Sequence, residues 1–233
     1  LLFLLLMLRP TPETKTSRSS AASDVYKRQA HDTTVDLARR LAGSMLAQRA
    51  HWEWVVVDDA STDTSGVDEI RRQMGDDPRL KLITHDTNHG IVGATATALA
   101  HASGAFVALL DHDDELHPDA LAEVTAAIEA VDEVDVIYTD EDKIDQAGRH
   151  HELPFFKPDW SPERLRCQMY LGHLLVIRRT LMEAVGGFRV GYDGSQDYDL
   201  ALRVTEQAGQ IHHIPKVLYH CRSAPRSAAD RID

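Results

Sequence analysis

The 233-residue sequence lacks several features that would mark a special class of protein. Its only two cysteines, Cys167 and Cys221, lie far apart, which supports neither a disulfide framework nor a zinc site and favours a reducing compartment. The apolar octet at residues 1–8 is too short to span a bilayer and lacks the basic segment of a signal peptide. Basic residues are also few, with 25 Lys and Arg against 37 Asp and Glu. The net charge of -12 argues against a nucleic-acid partner, which requires clustered positive charge.

The first 29 residues differ in character from the rest of the chain. Residues 11–29 are rich in Ser, Thr, Arg and Lys, and their end, SAASDVYKRQ, resembles translated sequencing-adapter read-through. We therefore interpret residues 1–29 as a non-native or disordered tail without a functional role. Residues 30–233 are expected to form one globular domain, since 43% of the chain is hydrophobic and its length suffices for one substantial core.

From residue 32 onward, helical and strand-like patterns alternate. Helical spacing of apolar residues predicts helices at residues 32–48, 67–74, 91–101 and 118–130, the first capped by Asp32 or Thr33. Short apolar runs predict strands at residues 54–57, 80–83, 105–110 and 134–138. This alternation predicts an α/β fold with a mostly parallel sheet and helices on both faces.

The most informative segment is LLDHDDE, in which the apolar strand at residues 105–110 ends abruptly in acidic residues. Ligands of such sheets bind beyond the carboxyl ends of the strands. Asp111 and Asp113 would repel each other there unless a cation lay between them, and a divalent metal with oxygen ligands serves this purpose best. An isolated Asp-x-Asp is more often a turn or the start of a helix. The other motifs of the chain, described below, favour the metal site over the turn.

Other strand ends also carry polar residues. Asp59 ends the first predicted strand, where it could bind a base or a ribose, although a turn explains it almost equally well. Asn88 and Gly90 precede a helix whose amino terminus favours phosphate. Asp142 follows a later strand and is interpreted either as lining of an acceptor site or as part of a turn, without preference.

Nine motifs together carry a resemblance to a known family. In order, they are VVVDDASTD, NHGIVGA, LLDHDDELHPDAL, YTDEDKID, FKPDWSPE, GHLLVIRR, VGGF, GSQDYDLALRV and HIPKVLYHCR. Over about residues 32–222 the chain resembles the family 2 glycosyltransferases of GT-A fold, and most closely those that assemble bacterial cell-surface polysaccharides such as O-antigen. The resemblance implies an inverting transfer of a sugar from a nucleotide-diphosphate sugar to a saccharide or lipid-linked acceptor.

The resemblance also implies roles for individual residues. Asp59 corresponds to the acid that bonds the nucleobase, Asp111 to the acid near the ribose and metal, and Asp113 to the direct ligand of Mn²⁺ or Mg²⁺. Asp197 corresponds to the general base, which takes the proton of the acceptor hydroxyl. Without the resemblance, the better interpretation is that Ser195 or Asp197 caps the helix at residues 196–207.

The resemblance extends to three further residues. His220 aligns with a histidine that completes the metal or diphosphate site in some relatives, and a packed or hydrogen-bonded histidine at a strand end is the alternative. Arg222 is a candidate donor to phosphate oxygens. Gln196 stands where many relatives have Glu, in the acceptor-facing motif, so a role that requires charge there is in question.

The chain also departs from the family pattern. The family opens with a sheet strand that has no counterpart before residue 32, so we expect that strand to be missing and the domain to be truncated at both ends. Its loss would expose an apolar sheet edge and reduce solubility unless residues 1–8 substitute for it.

Two alternative functions therefore stay open. One is a catalytically silent nucleotide-binding fragment. The other is a metal-dependent nucleotidyltransferase, for which we expect a Gly-rich loop with a Lys that this sequence lacks. We expect a cytoplasmic location, or the inner face of the plasma membrane if the full-length protein associates with it peripherally.

Overall fold

The computed structural model describes residues 2–9, 33–192 and 194–223. The strands are β1 (Leu2–Arg9), β2 (His51–Asp59), β3 (Leu80–His85), β4 (Phe106–Leu109), β5 (Glu115–Leu116), β6 (Val136–Ile144), β7 (His151–Phe155), β8 (Leu175–Arg178) and β9 (Ile211–Arg222). The helices are α1 (Val35–Leu46), α2 (Ser65–Met74), α3 (Gly90–His101), α4 (Ala120–Ala130), α5 (Pro162–Cys167), α6 (Arg179–Ala184) and α7 (Gln196–Gln207). All five predicted helices and all four predicted strands are present.

The helix bounds follow the local sequence. The range predicted for α7 is confirmed at both ends. The first helix begins later than predicted, because Thr34 rather than Asp32 or Thr33 is its N-cap, with the Thr34 hydroxyl accepting a hydrogen bond from the Leu37 amide at 3.4 Å. Ser195 occupies the N-cap position of α7, but its side chain makes no capping hydrogen bond.

The sheet is mixed, so the prediction of a mostly parallel sheet is wrong. Its strand order is β3-β2-β1-β4-β8-β6-β9-β5, with β7 paired to β6. Among the described strands, only β2 with β3 and β6 with β9 run parallel. Strand β8 is antiparallel to both β4 and β6. The sequence analysis predicted neither β8 nor its direction. An alternation of helices and strands along the chain does not indicate where a strand that follows a longer connection joins the sheet.

An interior position of the sheet holds a strand that the sequence analysis assigned to the tail. Residues 2–9 form β1, which lies between β2 and β4 and is antiparallel to both. The apolar octet thus fills the place left for the first strand, the substitution that the sequence analysis allowed, and the absence of the family's own first strand stays a prediction. Pairing there satisfies backbone groups that two facing open edges would leave unbonded. A foreign origin for residues 1–29 stays a prediction.

Two hydrophobic layers cover the sheet because successive strand residues face opposite sides. On β2, Trp54 and Val56 face α1, α2 and α4, while Val55 and Val57 face α3 and α7. On β4, Phe106 and Ala108 belong to the first layer, and Val107 and Leu109 to the second. The predicted arrangement of helices on both faces is confirmed.

Two simpler sequence observations can be compared with the structure. Both cysteines are free, Cys167 at the surface and Cys221 buried. Within the described ranges, no helix combines the length and apolarity needed to cross a bilayer.

Candidate functional site

The acidic loop after β4 lies at the sheet edge where β2 also ends. Along β1, Asp58 pairs with Leu2 and Leu109 with Leu5, so the two carboxyl ends are neighbours. Oxygen atoms of Asp111, Asp113 and Asp114 come within 4.8 Å of one another. The Asp111 and Asp113 side chains are 17% and 37% exposed, whereas Asp114 is 5% exposed as a residue. The structure therefore brings together the two predicted metal ligands and adds a third carboxylate behind them.

Tyr219 on β9 holds this loop in place. Its buried hydroxyl accepts a hydrogen bond from the Asp111 amide and donates one to the Asp114 carboxylate, both at 2.7 Å. Burial and the neighbouring carboxylates raise the pKa of Tyr219 well above its ordinary value, so the hydroxyl keeps the proton that it donates. Sequence reasoning missed this residue, because it is 108 positions away from Asp111.

Arg222 supports the same loop. Its Nε donates to the Asp113 carbonyl at 2.6 Å, and its Nη1 donates to the carbonyls of Asp145 and Gln146 at 2.9 and 3.0 Å. Its Nη2 donates to the Glu115 carboxylate, and the side chain is 2% exposed. This buried guanidinium donates to four protein oxygens, so its main contacts hold the loop, and the predicted phosphate contact stays a prediction.

His173 also lies beside the acidic loop. Its ring stacks on Tyr219 with centroids 4.7 Å apart, and its Nε2 lies 3.8 Å from Asp111 Oδ1. The Glu141 carboxylate accepts a hydrogen bond from the His173 amide at 2.7 Å and one from the buried Lys157 ammonium at 2.9 Å. Gly172, with φ +45°, lets this carboxylate approach closely, because a Cβ there would collide with it. His173 belongs to a quoted motif, but no local signal marks its side chain.

Asp59, Asn88 and Gly90 do meet, as predicted for a nucleotide site. The buried Asp59 carboxylate accepts hydrogen bonds from the His89 amide at 2.9 Å and the Gly90 amide at 2.8 Å, and it contacts His85 Nδ1 at 2.7 Å. The side-chain amide of Asn88 donates a hydrogen bond to the Asp59 backbone carbonyl at 3.3 Å. These bonds fix the start of α3 against the end of β2. The role of Asp59 at a nucleobase stays a prediction, and the geometry favours an indirect contribution through α3.

Asp142, His151 and His220 lie together in one group. His220 Nδ1 is 2.7 Å from Asp142 Oδ1, and His151 Nδ1 is 2.9 Å from Asp142 Oδ2. Burial lowers the pKa of His220 below its ordinary value of 6.5, although the Asp142 carboxylate opposes this. The ligand atoms of Asp111, Asp113 and Asp114 form a different group, which does not include His220. The roles predicted for His220 at the metal and for Asp142 at a phosphate or acceptor stay predictions.

The acceptor-facing motif begins helix α7. Asp197 is half-buried in the first turn, and Gln196 Nε2 donates to its carboxylate at 3.3 Å. Gln196 is 2% exposed, and its Oε1 accepts no hydrogen bond from the part of the chain that the structure describes. Leu200 of α7 and Leu109 at the end of β4 belong to the same apolar layer of the core, and β4 leads into the acidic loop. The roles of Asp197 and Gln196 stay predictions.

Asp199 fastens the first turn of α7. Its 6%-exposed carboxylate accepts hydrogen bonds from Arg189 and Arg203, and Arg203 also donates to the carbonyls of Val185 and Gly187, each at 2.7 Å. Burial alone would raise the pKa of Asp199, but these arginines outweigh it and hold the pKa below the ordinary value of 3.8. Because the pKa of Asp199 is lower in the folded state, its carboxylate stabilises the fold at pH values above the ordinary pKa of 3.8. This stabilisation is lost as the pH falls through the folded-state pKa.

We therefore predict that Asp199→Asn lowers the free energy of unfolding at pH 7 by about 1–3 kcal/mol, because a charge-assisted bond pair is lost. The difference between wild type and variant should shrink below pH 3.8. Urea unfolding of wild type and variant, at pH 7 and again below pH 3.8, measures this difference in the free energy of unfolding. An equal difference under both conditions would show that the charge of Asp199 contributes nothing to stability.

Comparisons with known proteins agree with this arrangement. The family model described as glycosyl transferase family 2 matches residues 34–186. The O-antigen biosynthesis protein RfbC of Myxococcus xanthus is 41% identical over 202 residues, which are 86% of this chain and 16% of that protein. This chain therefore corresponds to a small part of that relative.

Two solved structures share the fold. S. aureus TarS 1-349 in complex with UDP-GlcNAc has a TM-score of 0.67 at 22% identity, covering 84% of this chain and 57% of that one. The mannosyltransferase PcManGT from Pyrobaculum calidifontis, in complex with GDP-Man and Mn2+, has a TM-score of 0.61 at 23% identity, covering 84% and 55%. The predicted GT-A fold is confirmed, and with the match of the family model over residues 34–186 the chain belongs to glycosyl transferase family 2.

Proposed function

We propose that this chain transfers a sugar, with inversion at the anomeric carbon, from a nucleoside-diphosphate sugar to a saccharide or lipid-linked acceptor in cell-surface polysaccharide synthesis. One observation carries the proposal. In a chain of this family, the carboxylates of Asp111, Asp113 and Asp114 converge where β4 ends, at the edge of the sheet where α/β proteins bind ligands.

The donor set fits a hard divalent cation, Mn²⁺ or Mg²⁺. All its ligand atoms are carboxylate oxygens, which these ions prefer. Asp114 already bonds the Tyr219 hydroxyl and the Arg222 amide, so Asp111 and Asp113 would hold the ion. When bound, the ion neutralises the negative charge that develops on the departing nucleoside diphosphate.

The transfer itself moves one proton and exchanges one carbon–oxygen bond for another. The acceptor hydroxyl oxygen attacks the anomeric carbon from the side opposite the diphosphate, and the bond from that carbon to the phosphate oxygen breaks. The diphosphate leaves with the electron pair, and the hydroxyl proton passes to the carboxylate of Asp197. Gln196, uncharged where relatives have Glu, orients this carboxylate through its amide.

The proteins that this chain resembles support the proposed substrate classes. The two structural neighbours carry UDP-GlcNAc and GDP-Man, and RfbC is named for O-antigen biosynthesis. On the donor side, the partial positive charge at the amino terminus of α3 favours a nearby phosphate, while the Gly90 amide itself bonds the Asp59 carboxylate. The two free thiols fit a reducing compartment, and we place the reaction in the cytoplasm or at the inner face of the plasma membrane.

Calorimetric titration of the chain with UDP, GDP and dTDP, first with Mn²⁺ and then with EDTA, tests the proposal. We expect one nucleotide to bind in the presence of Mn²⁺ and to be released by EDTA, because its diphosphate needs the ion to approach two carboxylates. Binding that is equally strong in EDTA, or no binding by demonstrably folded protein, would contradict the metal-dependent donor site.

A catalytically silent nucleotide-binding domain is the second candidate. Because β1 is antiparallel to β2 and β4, which both end at the site, its own carboxyl end points away from the site. This direction favours the silent domain. Release of nucleoside diphosphate from the matching nucleotide sugar separates the two candidates. Metal-dependent binding without any release, with saccharide acceptors present, would support the silent domain.

A further inference from the structure

Three neighbouring strands bring two histidines and an aspartate together away from the acidic loop. Asp142 on β6 is paired in register with His220 on β9. His151 begins β7, which pairs with the other edge of β6. The two imidazole rings meet edge to face with centroids 4.5 Å apart, and each Nδ1 lies within 3 Å of a different Asp142 oxygen, at 2.7 and 2.9 Å.

These side chains form part of the wall of a cavity of about 610 Å³. Asp142 and His220 are 10% and 11% exposed as side chains, and His151 is 51% exposed. Arg40 and Ser44 of α1 and His117 also line this cavity. Two ligands are therefore held rigidly by the sheet, while the third is accessible to solvent.

We propose that Asp142, His151 and His220 form a binding site for a divalent transition cation of the zinc type, separate from the acidic loop. One ligand atom from each residue lies within 4.8 Å of the others. Two imidazole nitrogens and one carboxylate oxygen are ligands that Zn²⁺ accepts at about 2.0–2.2 Å, and three protein ligands leave a fourth tetrahedral position for water. Imidazole disfavours Mg²⁺, which prefers oxygen ligands.

The two sites share no ligand. The acidic loop offers only carboxylate oxygens from Asp111, Asp113 and Asp114, whereas the second cluster is dominated by nitrogen. Strand β9 separates them, since Tyr219 contacts the acidic loop and the next residue, His220, contacts Asp142. A cation at the second cluster would tie the β6–β7 hairpin to β9. This inference does not rest on the proposed transfer reaction, because it concerns binding and stability.

Titration of the full chain with Zn²⁺, in buffer with excess Mg²⁺ to occupy oxygen-only sites, tests the proposal. We expect one equivalent of Zn²⁺ to bind, and Co²⁺ in its place to give the visible absorption of a tetrahedral site. At a Zn²⁺ concentration about 100-fold above Kd, Tm should rise by about 5–10 °C. His151→Ala should abolish binding and the rise in Tm, and its exposed position at the start of β7 spares the core. His150→Ala is the matched control, an exposed neighbour outside the cluster.

A second pair of variants keeps the sites distinguishable. His220→Asn should also lose Zn²⁺ binding, whereas Asp113→Ala should keep it even where nucleotide binding is lost. If His151→Ala and His220→Asn bind Zn²⁺ like wild type, the three residues are only a hydrogen-bonded His-Asp-His group and the proposal is wrong. Loss of Zn²⁺ binding in Asp113→Ala would equally overturn it, because the ion would then occupy the acidic loop.

Discussion

Asp113→Ala is expected to abolish Mn²⁺-dependent binding of the nucleoside diphosphate. Asp113 carries the most exposed carboxylate of the acidic loop, at 37%, and its removal leaves Asp111 as the only accessible ligand. Asp114 cannot replace it, because its oxygens bond Tyr219 and the Arg222 amide. Calorimetry with the nucleotide that binds wild type should then show no heat of binding with Mn²⁺.

Asp76→Ala is the matched control for this experiment. It removes an exposed aspartate just after α2 and should bind nucleotide like wild type. Circular dichroism of both variants shows whether the fold is intact. If folded Asp113→Ala binds the nucleotide with unchanged affinity and unchanged dependence on Mn²⁺, the assignment of the metal ligands to this loop is wrong.

Asp197→Asn should remove transfer while leaving donor binding intact. The amide keeps the size of the carboxylate and its place in the first turn of α7, but it cannot accept the proton of the acceptor hydroxyl. Loss of a general base costs typically about 10²–10⁴-fold in rate. We expect kcat to fall by that factor, measured as release of nucleoside diphosphate with acceptor present, and the calorimetric Kd to stay within about twofold of wild type.

The control for the second experiment is Asp76→Asn, the same chemical change at an exposed site. A rate in Asp197→Asn close to wild type would show that Asp197 only belongs to the helix terminus, the interpretation that the residues alone favoured. A weakened Kd with an unchanged kcat would instead place Asp197 on the donor side of the site.

The features that the sequence predicted are those encoded over short stretches of chain. Helix α1 was predicted within residues 32–48 from the helical spacing of its apolar residues, and it is observed at Val35–Leu46. The acidic loop was recognised because its carboxylates directly follow the buried strand β4. In both cases the signal and the structure occupy the same dozen residues.

The features that the sequence could not predict depend on which distant segments meet. Tyr219 and Arg222 bond the acidic loop from more than a hundred positions away, at separations of 108 and 109 residues. His173 reaches Asp111 through the bonds that Glu141 and Lys157 make, and none of these leaves a periodic pattern. The contact of His220 with Asp142 was equally invisible in the sequence, because it joins residues that are 78 positions apart.

The interior strand β1 has a consequence for how the fold is completed. Among the strands that the structure describes, it alone bonds both β2 and β4, so the sheet is joined across it. Main-chain amides and carbonyls make these bonds, and they recognise any extended chain of suitable register. The pairing of β1 with β2 and β4 can therefore be described as an intramolecular binding step. The contribution of β1 to folding is the free energy of that binding, which another strand with the same backbone groups could supply.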